Sequence, residues 1–315
     1  MRGWRGRGAE VGELQRTVVV TGASGLIGRH LCDHLNSQGW SVRALMRKPA
    51  SYPFSTSGIS CHFADLPDAL DVDAFAGADV LIHAAYATRA MAPELARRVN
   101  ELGTERVLRA ARSARVGRAV FLSSLSARAD ARSYYGRSKH QLEAAFAGPQ
   151  DLVIRPGLVL AADGGLGLQL WRAAATFPII PLVGGGRQAV QTVHIDDVVH
   201  AIARLLDSGV RGRVSIAEAT GQSLRQLLAL FAAASGARAR FVPVPATAVL
   251  VGLRISERVG LPIPWSAENL LGLLALRHEP TAPDLARYGL DVRDACASVQ
   301  SLRQDPSLDL RWPRR

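Results

Sequence analysis

The chain has 315 residues, 48% of them hydrophobic and 21% charged, a balance that excludes a disordered chain, a collagen-like fibre and a disulfide scaffold. Lysine plus arginine number 38 against 27 aspartates and glutamates, a formal charge of +11, but the arginines are scattered and never interleaved with aromatics, so a basic soluble surface is expected and nucleic acid is not an expected partner. The longest apolar stretch, Phe241 to Leu253, holds two prolines and is too short for a bilayer, so no membrane partner is expected; three widely spaced cysteines, Cys32, Cys61 and Cys296, fit a reducing, cytoplasmic setting without a metal finger.

Residues 1–16 are rich in glycine and arginine and read as a disordered extension. Thr17–Thr21 (TVVVT) is a β-branched run suited to a strand buried on both faces. A glycine-rich turn and an amphipathic stretch from Leu26 to about Gln38 follow. Further strands are predicted at 42–46, 59–64, 80–84, 119–123 and 152–155, with helices at 92–115 and 135–147. Strands alternating with helices predict βαβ units, hence an α/β fold of the Rossmann type with a doubly wound parallel sheet over residues 17–156. After Pro156 the pattern breaks into glycine-rich loops and short helices. Residues 157–315 are expected to form mostly a smaller substrate-binding lobe, with elements of about 190–217 returning to the sheet. These include a strand at 213–217; Ser223 is a predicted N-cap for a helix over 224–234.

Three motifs carry chemistry. Thr21-Gly22-Ala23-Ser24-Gly25-Leu26-Ile27-Gly28 lies between a strand and a helix. Gly22 permits the turn, Gly25 admits a pyrophosphate, and Gly28 lets the helix pack closely, with its N-terminus facing the phosphates. At the end of the second strand Met46 occupies the position where an NAD enzyme usually carries an acid, and Arg47 and Lys48 follow. A cationic pair there suits a 2′-phosphate, so NADP(H) is favoured over NAD(H). Tyr135 and Lys139 share one face of a helix, and Ser124 ends the preceding strand. A tyrosine near an ammonium can exchange a proton with a substrate oxygen, and a serine hydroxyl can orient that oxygen.

On these motifs the sequence resembles the extended short-chain dehydrogenase/reductases, an NAD-dependent epimerase/dehydratase-like superfamily. Asp65-Leu66, His83-Ala84-Ala85, the run Val99 to Thr104, Ser123-Ser124, Arg155-Pro156-Gly157 and His194 to Val198 match further signatures of that group. The resemblance implies that Ser124, Tyr135 and Lys139 are catalytic. It also implies cofactor contacts from Gly22, Ser24, Gly25, Leu26, Ile27 and Gly28 in the loop, from Arg47, Lys48, Asp65 and Leu66 beyond the second and third strands, and from Ala84, Ala85, Tyr135, Lys139 and Pro156. Leu125 and Ser126 stand where the dehydratases of this group carry an Asp–Glu pair, which disfavours dehydration. The expected activity is an NADP(H)-dependent hydride transfer to or from a carbonyl/alcohol carbon of a small molecule. The alternatives are an NAD-dependent nucleotide-sugar epimerase and a non-catalytic dinucleotide sensor or assembly factor. No metal is expected: His30 and His34 read as helix-surface histidines, and Asp196 or Asp197 as the cap of a helix beginning near Val198. The apolar stretches 164–171, 177–191 and 241–269 are expected to set specificity and to lean towards a hydrophobic ketone or alcohol. A homodimer through helices 92–115 and 135–147 is a further implication of the resemblance.

Overall fold

A computed structural model describes residues 15–51, 58–87, 93–260 and 266–312. The extension expected over residues 1–16 therefore lies, except for Gln15 and Arg16, outside the described residues. The strands are β1 (Thr17–Thr21), β2 (Ser41–Met46), β3 (Ile59–Asp65), β4 (Ala69–Leu70), β5 (Val80–His83), β6 (Arg118–Leu122), β7 (Leu152–Pro156), β8 (Leu158–Leu160), β9 (Ile179–Val183), β10 (Ala189–Val190), β11 (Thr192–His194), β12 (Gly212–Ile216), β13 (Gln222–Ser223) and β14 (Arg240–Val244). The helices are α1 (Leu26–Ser37), α2 (Pro93–Arg97), α3 (Gly103–Ser113), α4 (Tyr134–Glu143), α5 (Gly165–Thr176), α6 (Ile195–Asp207), α7 (Leu224–Ala234), α8 (Ala246–Arg258), α9 (Ala267–Leu274), α10 (Ala282–Tyr288) and α11 (Ala295–Arg303).

Eight strands form one sheet in the order β12-β7-β6-β5-β1-β2-β3-β4, parallel except for β4. Chain order reverses at β1, which pairs with both β2 and β5. That reversal opens a crevice at the carboxyl ends of the strands, where ligands bind in doubly wound folds. Val18, Val19 and Val20 are fully buried because helices cover both faces of the sheet. On one face Leu31 and Leu35 of α1 join Val198, Ile202 and Leu205 of α6. On the other, Val107 and Leu108 of α3 pack with Leu142, Phe121 and Phe146. Each such fully buried side chain contributes about 1.5–3 kcal/mol through burial.

Three elements depart from the sequence expectation, the simplest being the helix predicted over 135–147, which runs from Tyr134 to Glu143. The helix predicted over 92–115 spans Pro93–Ser113 among the described residues, and a π turn at Arg98–Leu102 joins α2 to α3. The inserted residue rotates the helix face, and Asn100 is buried. The third departure is at α6, which begins at Ile195, three residues before the expected start. Its N-cap is His194, whose Nδ1 accepts from the Asp196 N–H at 3.2 Å, so neither aspartate caps it. Both stay in the first turn, where the helix dipole favours them, and Asp197 holds Arg293 at 2.5 Å.

At Gly157 the chain changes sheets. β7 ends in the main sheet, while β8 pairs with β11 instead. A Cβ on Gly157 would meet the Gln191 carbonyl at 2.4 Å and the Ala217 Cβ at 2.7 Å. Beyond this point a second core forms around Trp171 stacked on Phe231, with ring centroids 5.2 Å apart. β12 returns to the main sheet beside β7. Ser223 caps α7 and exchanges bonds with Gln226 in a capping box.

Candidate active site

The expected site residues all lie at the carboxyl ends of parallel strands: Gly22 to Gly28 after β1, Arg47 and Lys48 after β2, Asp65 and Leu66 at β3, Ala84 and Ala85 after β5, Ser124 after β6 and Pro156 at β7, with Tyr135 and Lys139 on the following α4. Gly22 has φ +67°, and a Cβ there would stand 2.7 Å from the Ala85 backbone. A Cβ on Gly28 would stand 2.2 Å from the Gly22 carbonyl oxygen. Any side chain at either position would fill the cradle. Gly25 is the N-cap of α1 and no side chain caps the helix, so its first N–H groups face an exposed loop at Ser24 and Gly25. An uncapped helix end above a glycine cradle fits the pyrophosphate of a dinucleotide.

The loop facing that cradle is held by a directed chain of hydrogen bonds. The Ala85 N–H donates to Thr21 Oγ1 at 3.3 Å, and Thr21 Oγ1 lies 2.7 Å from His83 Nδ1. His83 Nε2 lies 2.9 Å from Thr104 Oγ1, which donates to the Asn100 carbonyl at 2.5 Å. Since Thr104 spends its proton on Asn100, Nε2 of His83 must donate and Nδ1 must accept from Thr21. Burial, reinforced by Lys139, lowers the His83 pKa to about 3, so the ring stays neutral. Asn100 Oδ1 accepts the Ala87 N–H at 2.7 Å and closes the chain. Asn100 thus positions the loop.

Ser124 follows β6. Its Oγ accepts the Ser126 N–H at 3.1 Å, and Leu125 N–H is held by the Pro156 carbonyl at 3.1 Å. Ser133 caps α4 by accepting the Gly136 N–H at 3.2 Å. A Cβ on Gly136 would meet the Ser126 carbonyl at 2.5 Å, so glycine beside Tyr135 lets the helix seat against the serine loop. Burial raises the Tyr135 phenol above its usual pKa, and a hydrogen bond with Ser124 pulls it back down.

Lys139 is buried on the same helix as Tyr135. Its buried ammonium donates to the Leu122 carbonyl and lies 4.2 Å from the centre of the Tyr86 ring. The Tyr86 ring in turn meets the Tyr135 ring edge-on at 5.4 Å. Burial lowers the Lys139 pKa to about 7, and the carboxylate of Glu143 works against that fall. Glu143 is a residue that sequence reasoning missed. It is buried one turn beyond Lys139, accepts from Ser123 Oγ at 2.5 Å, and takes Arg155 Nε and Nη2 at 2.7 and 2.5 Å. It ties α4 to Ser123, directly after β6, and to Arg155 of β7. Four-residue spacing after Lys139 was the available signal.

The remaining candidates are at the rim. Arg47 and Lys48 are exposed and form no ion pair or hydrogen bond among the described residues. Asp65 is exposed at the end of β3. Leu66 packs against Gly103, where an added Cβ would come within 3.0 Å of it. His30 is committed to Asp163, as is Arg29 at 2.5 Å, and His34 meets His200 edge-on at 4.7 Å. Burial works against the Asp163 carboxylate, yet hydrogen bonds from His30 and Arg29 outweigh it and hold its pKa down at about 2. Asp163 thereby clasps the second core to α1. Among the described residues no cluster of three or more metal-ligating side chains is present.

Residues 18–149 match the NAD dependent epimerase/dehydratase family. The chain is 30% identical over 244 residues to the ceramide reductase of Caulobacter vibrioides, covering 76% of each chain. It is 31% identical over 263 residues to a 4-hydroxy-2-methyl-3-oxo-4-farnesyl-3,4-dihydroquinoline-1-oxide ketoreductase of Stigmatella aurantiaca, covering 76% of this chain and 79% of that one. Its fold is similar to that of a human epimerase family protein solved with NADPH, with a TM-score of 0.69, 20% identity, and coverage of 92% and 99%. The chain belongs to the NAD dependent epimerase/dehydratase family as an NAD(P)-dependent oxidoreductase of the extended short-chain dehydrogenase/reductase type.

Proposed function

We propose that this oxidoreductase is an NADP(H)-preferring ketoreductase acting on a lipophilic small molecule. The observation that carries the reading is the end of β6, where the serine loop seats against the tyrosine helix, the Ser126 carbonyl standing 2.5 Å from a Cβ built on Gly136, and the two residues after Ser124 are Leu125 and Ser126. That site can deliver one proton to one oxygen, and it lacks the acid–base pair that expelling water requires. A bound nicotinamide supplies or accepts the hydride. Ser124 donates a hydrogen bond to the substrate oxygen and Tyr135 gives that oxygen its proton. Lys139 holds the ribose and, as an ammonium, favours the phenolate left behind. Gly22, Gly25 and Gly28 admit the pyrophosphate, and the free cations Arg47 and Lys48 receive the 2′-phosphate.

The lipophilic substrate is supported by the relatives, whose names carry a ceramide and a farnesyl group. In the lobe, the Arg172 guanidinium is committed to the Asp309 carbonyl at 2.7 Å rather than left free for a diphosphate. The test is Tyr135→Phe, expected to lower turnover by about 10²–10⁴ while NADPH affinity holds. Unchanged turnover overturns the assignment. Titration with NADPH and NADH before and after Arg47→Ala tests the cofactor: NADPH affinity should exceed NADH affinity and collapse in the variant. Copurified NAD that does not exchange would instead favour the epimerase.

A further inference from the structure

We propose that the outer face of α8 docks on an anionic lipid membrane and brings the mouth of the active site to the bilayer surface. α8 has two unlike faces. Ser256 is buried and Val249, Leu250 and Leu253 are half-buried against the protein. Val251, Ile255 and Val259 recur at four-residue spacing through the helix and its C-cap on the opposite face, and are 55%, 55% and 64% exposed. Three large aliphatic side chains in one stripe on a 13-residue helix are an unpartnered apolar face.

Charge selects the occupant. Arg254 and Arg258 border the stripe along one side, are exposed, and form no ion pair or hydrogen bond among the described residues. Residues 236–260 hold four arginines, Arg238, Arg240, Arg254 and Arg258, against a single carboxylate, Glu257. Glu257 is turned to another use, accepting the Ala267 N–H at 2.7 Å at the start of α9. An aliphatic stripe edged with free arginines is the pattern of a helix that lies in the headgroup region of an acidic bilayer. The absence of any described helix long and apolar enough to cross a membrane does not bear on such surface binding.

Position gives the docking a purpose. α8 packs on α9, and α9 packs on α4. Glu268 of α9 accepts the Tyr134 N–H at 2.6 Å, next to Tyr135. A bilayer touching α8 therefore lies on the side of the molecule where the substrate lobe meets the tyrosine helix. The purpose rests on the lipophilic-substrate reading, but the docking itself does not.

The test is flotation of the full chain with vesicles of phosphatidylcholine alone and of phosphatidylcholine and phosphatidylglycerol in equal parts. Binding is expected to the mixed vesicles only and to weaken with salt. Arg254→Ala with Arg258→Ala should lower partitioning by about 25-fold, roughly fivefold for each cation near an anionic surface. Val251→Ser, Ile255→Ser and Val259→Ser together should lower it by at least about tenfold, with melting temperature unchanged because all three are exposed. Failure of the wild type to float with either vesicle, or equal flotation of wild type and variants, overturns the proposal. So does sedimentation showing a dimer that the triple serine variant alone dissociates, because a second copy would then cover the face. Flotation together with turnover confined to polar ketones would uphold the docking and overturn the lipophilic-substrate reading.

Discussion

Replacing Glu143 by Gln should uncouple two things that the buried carboxylate does at once. The first is structural. Glu143 and Arg155 are 5% and 12% exposed and meet in a two-pronged pair. The amide keeps the shape but leaves the guanidinium without a counter-charge, which costs about 3–5 kcal/mol for a pair buried this well. Unfolding entropy near 2.1 cal/mol/K per residue over this chain converts that into a fall of about 5–8 °C in melting temperature. The second is electrostatic. Glu143 follows Lys139 by one helical turn, about 6 Å. At an effective permittivity near 20 a unit charge at that distance is worth about 3 kcal/mol, or about two pH units. Lys139, already lowered to about 7, would lose its proton well below neutrality. The assay is a rate–pH profile of carbonyl reduction with saturating cofactor, alongside a thermal melt. The variant's alkaline limb should move about one to two pH units toward acid, so that turnover lost at pH 7 is largely recovered near pH 5.5. A profile that superimposes on the wild type, or a uniform loss at every pH, refutes the electrostatic role; an unchanged melt refutes the structural one.

Gly28→Ala places a methyl 2.2 Å from the Gly22 carbonyl. It should weaken NADPH binding by at least about tenfold in a fluorescence titration, since the loop must open to accept it. Lys139→Met should abolish most turnover and raise the melting temperature at pH 7. The sign follows from burial, which lowers the lysine from 10.5 to about 7. The unfolded chain then binds the extra proton between those values, and wild-type stability rises with pH across that window. The Met variant should flatten this rise, and denaturant titrations at pH 7 and pH 9 measure it. Asp163→Asn should destabilise the protein at neutral pH by breaking the clasp to Arg29 and His30. Asp163 is lowered from 3.8 to about 2, so the wild-type advantage is present above about pH 4 and lost as pH falls through 2. Melts between pH 7 and pH 2 should converge.

Local pattern made the nucleotide half legible. A β-branched run, a glycine turn and an amphipathic helix lie next to one another in the chain, so β1, the cradle and α1 could be read from neighbours alone. The placing of Tyr135 and Lys139 on one helix, and of Ser124 after a strand, was legible because that spacing is fixed by the helix and the strand end. Glu143 was not, since a lone glutamate on a helix ordinarily faces solvent, and its burial depends on Arg155 arriving from β7. The π turn at Arg98–Leu102 escaped because hydrophobic periodicity does not register a single inserted residue. His194 was passed over as a cap because aspartates followed it, and Asp197 was needed elsewhere, by Arg293. The pairings β8 with β11 and β9 with β14 join segments far apart in sequence, and no local pattern encodes such partners.

The change of sheet at Gly157 has a consequence for how such a protein diversifies. Upstream of it, cradle, serine loop and tyrosine helix interlock through contacts too close to admit a methyl group, so that half tolerates little rewriting. Downstream, the interior around Trp171 and Phe231 is a separate core, joined to the first by a strand that changes partners, by β12 and by the Asp163 clasp. A substitution in that second interior is therefore felt first by its own packing rather than by the close contacts upstream. The molecule has one interlocked interior and one that packs by itself, and the join is a glycine with room for nothing larger.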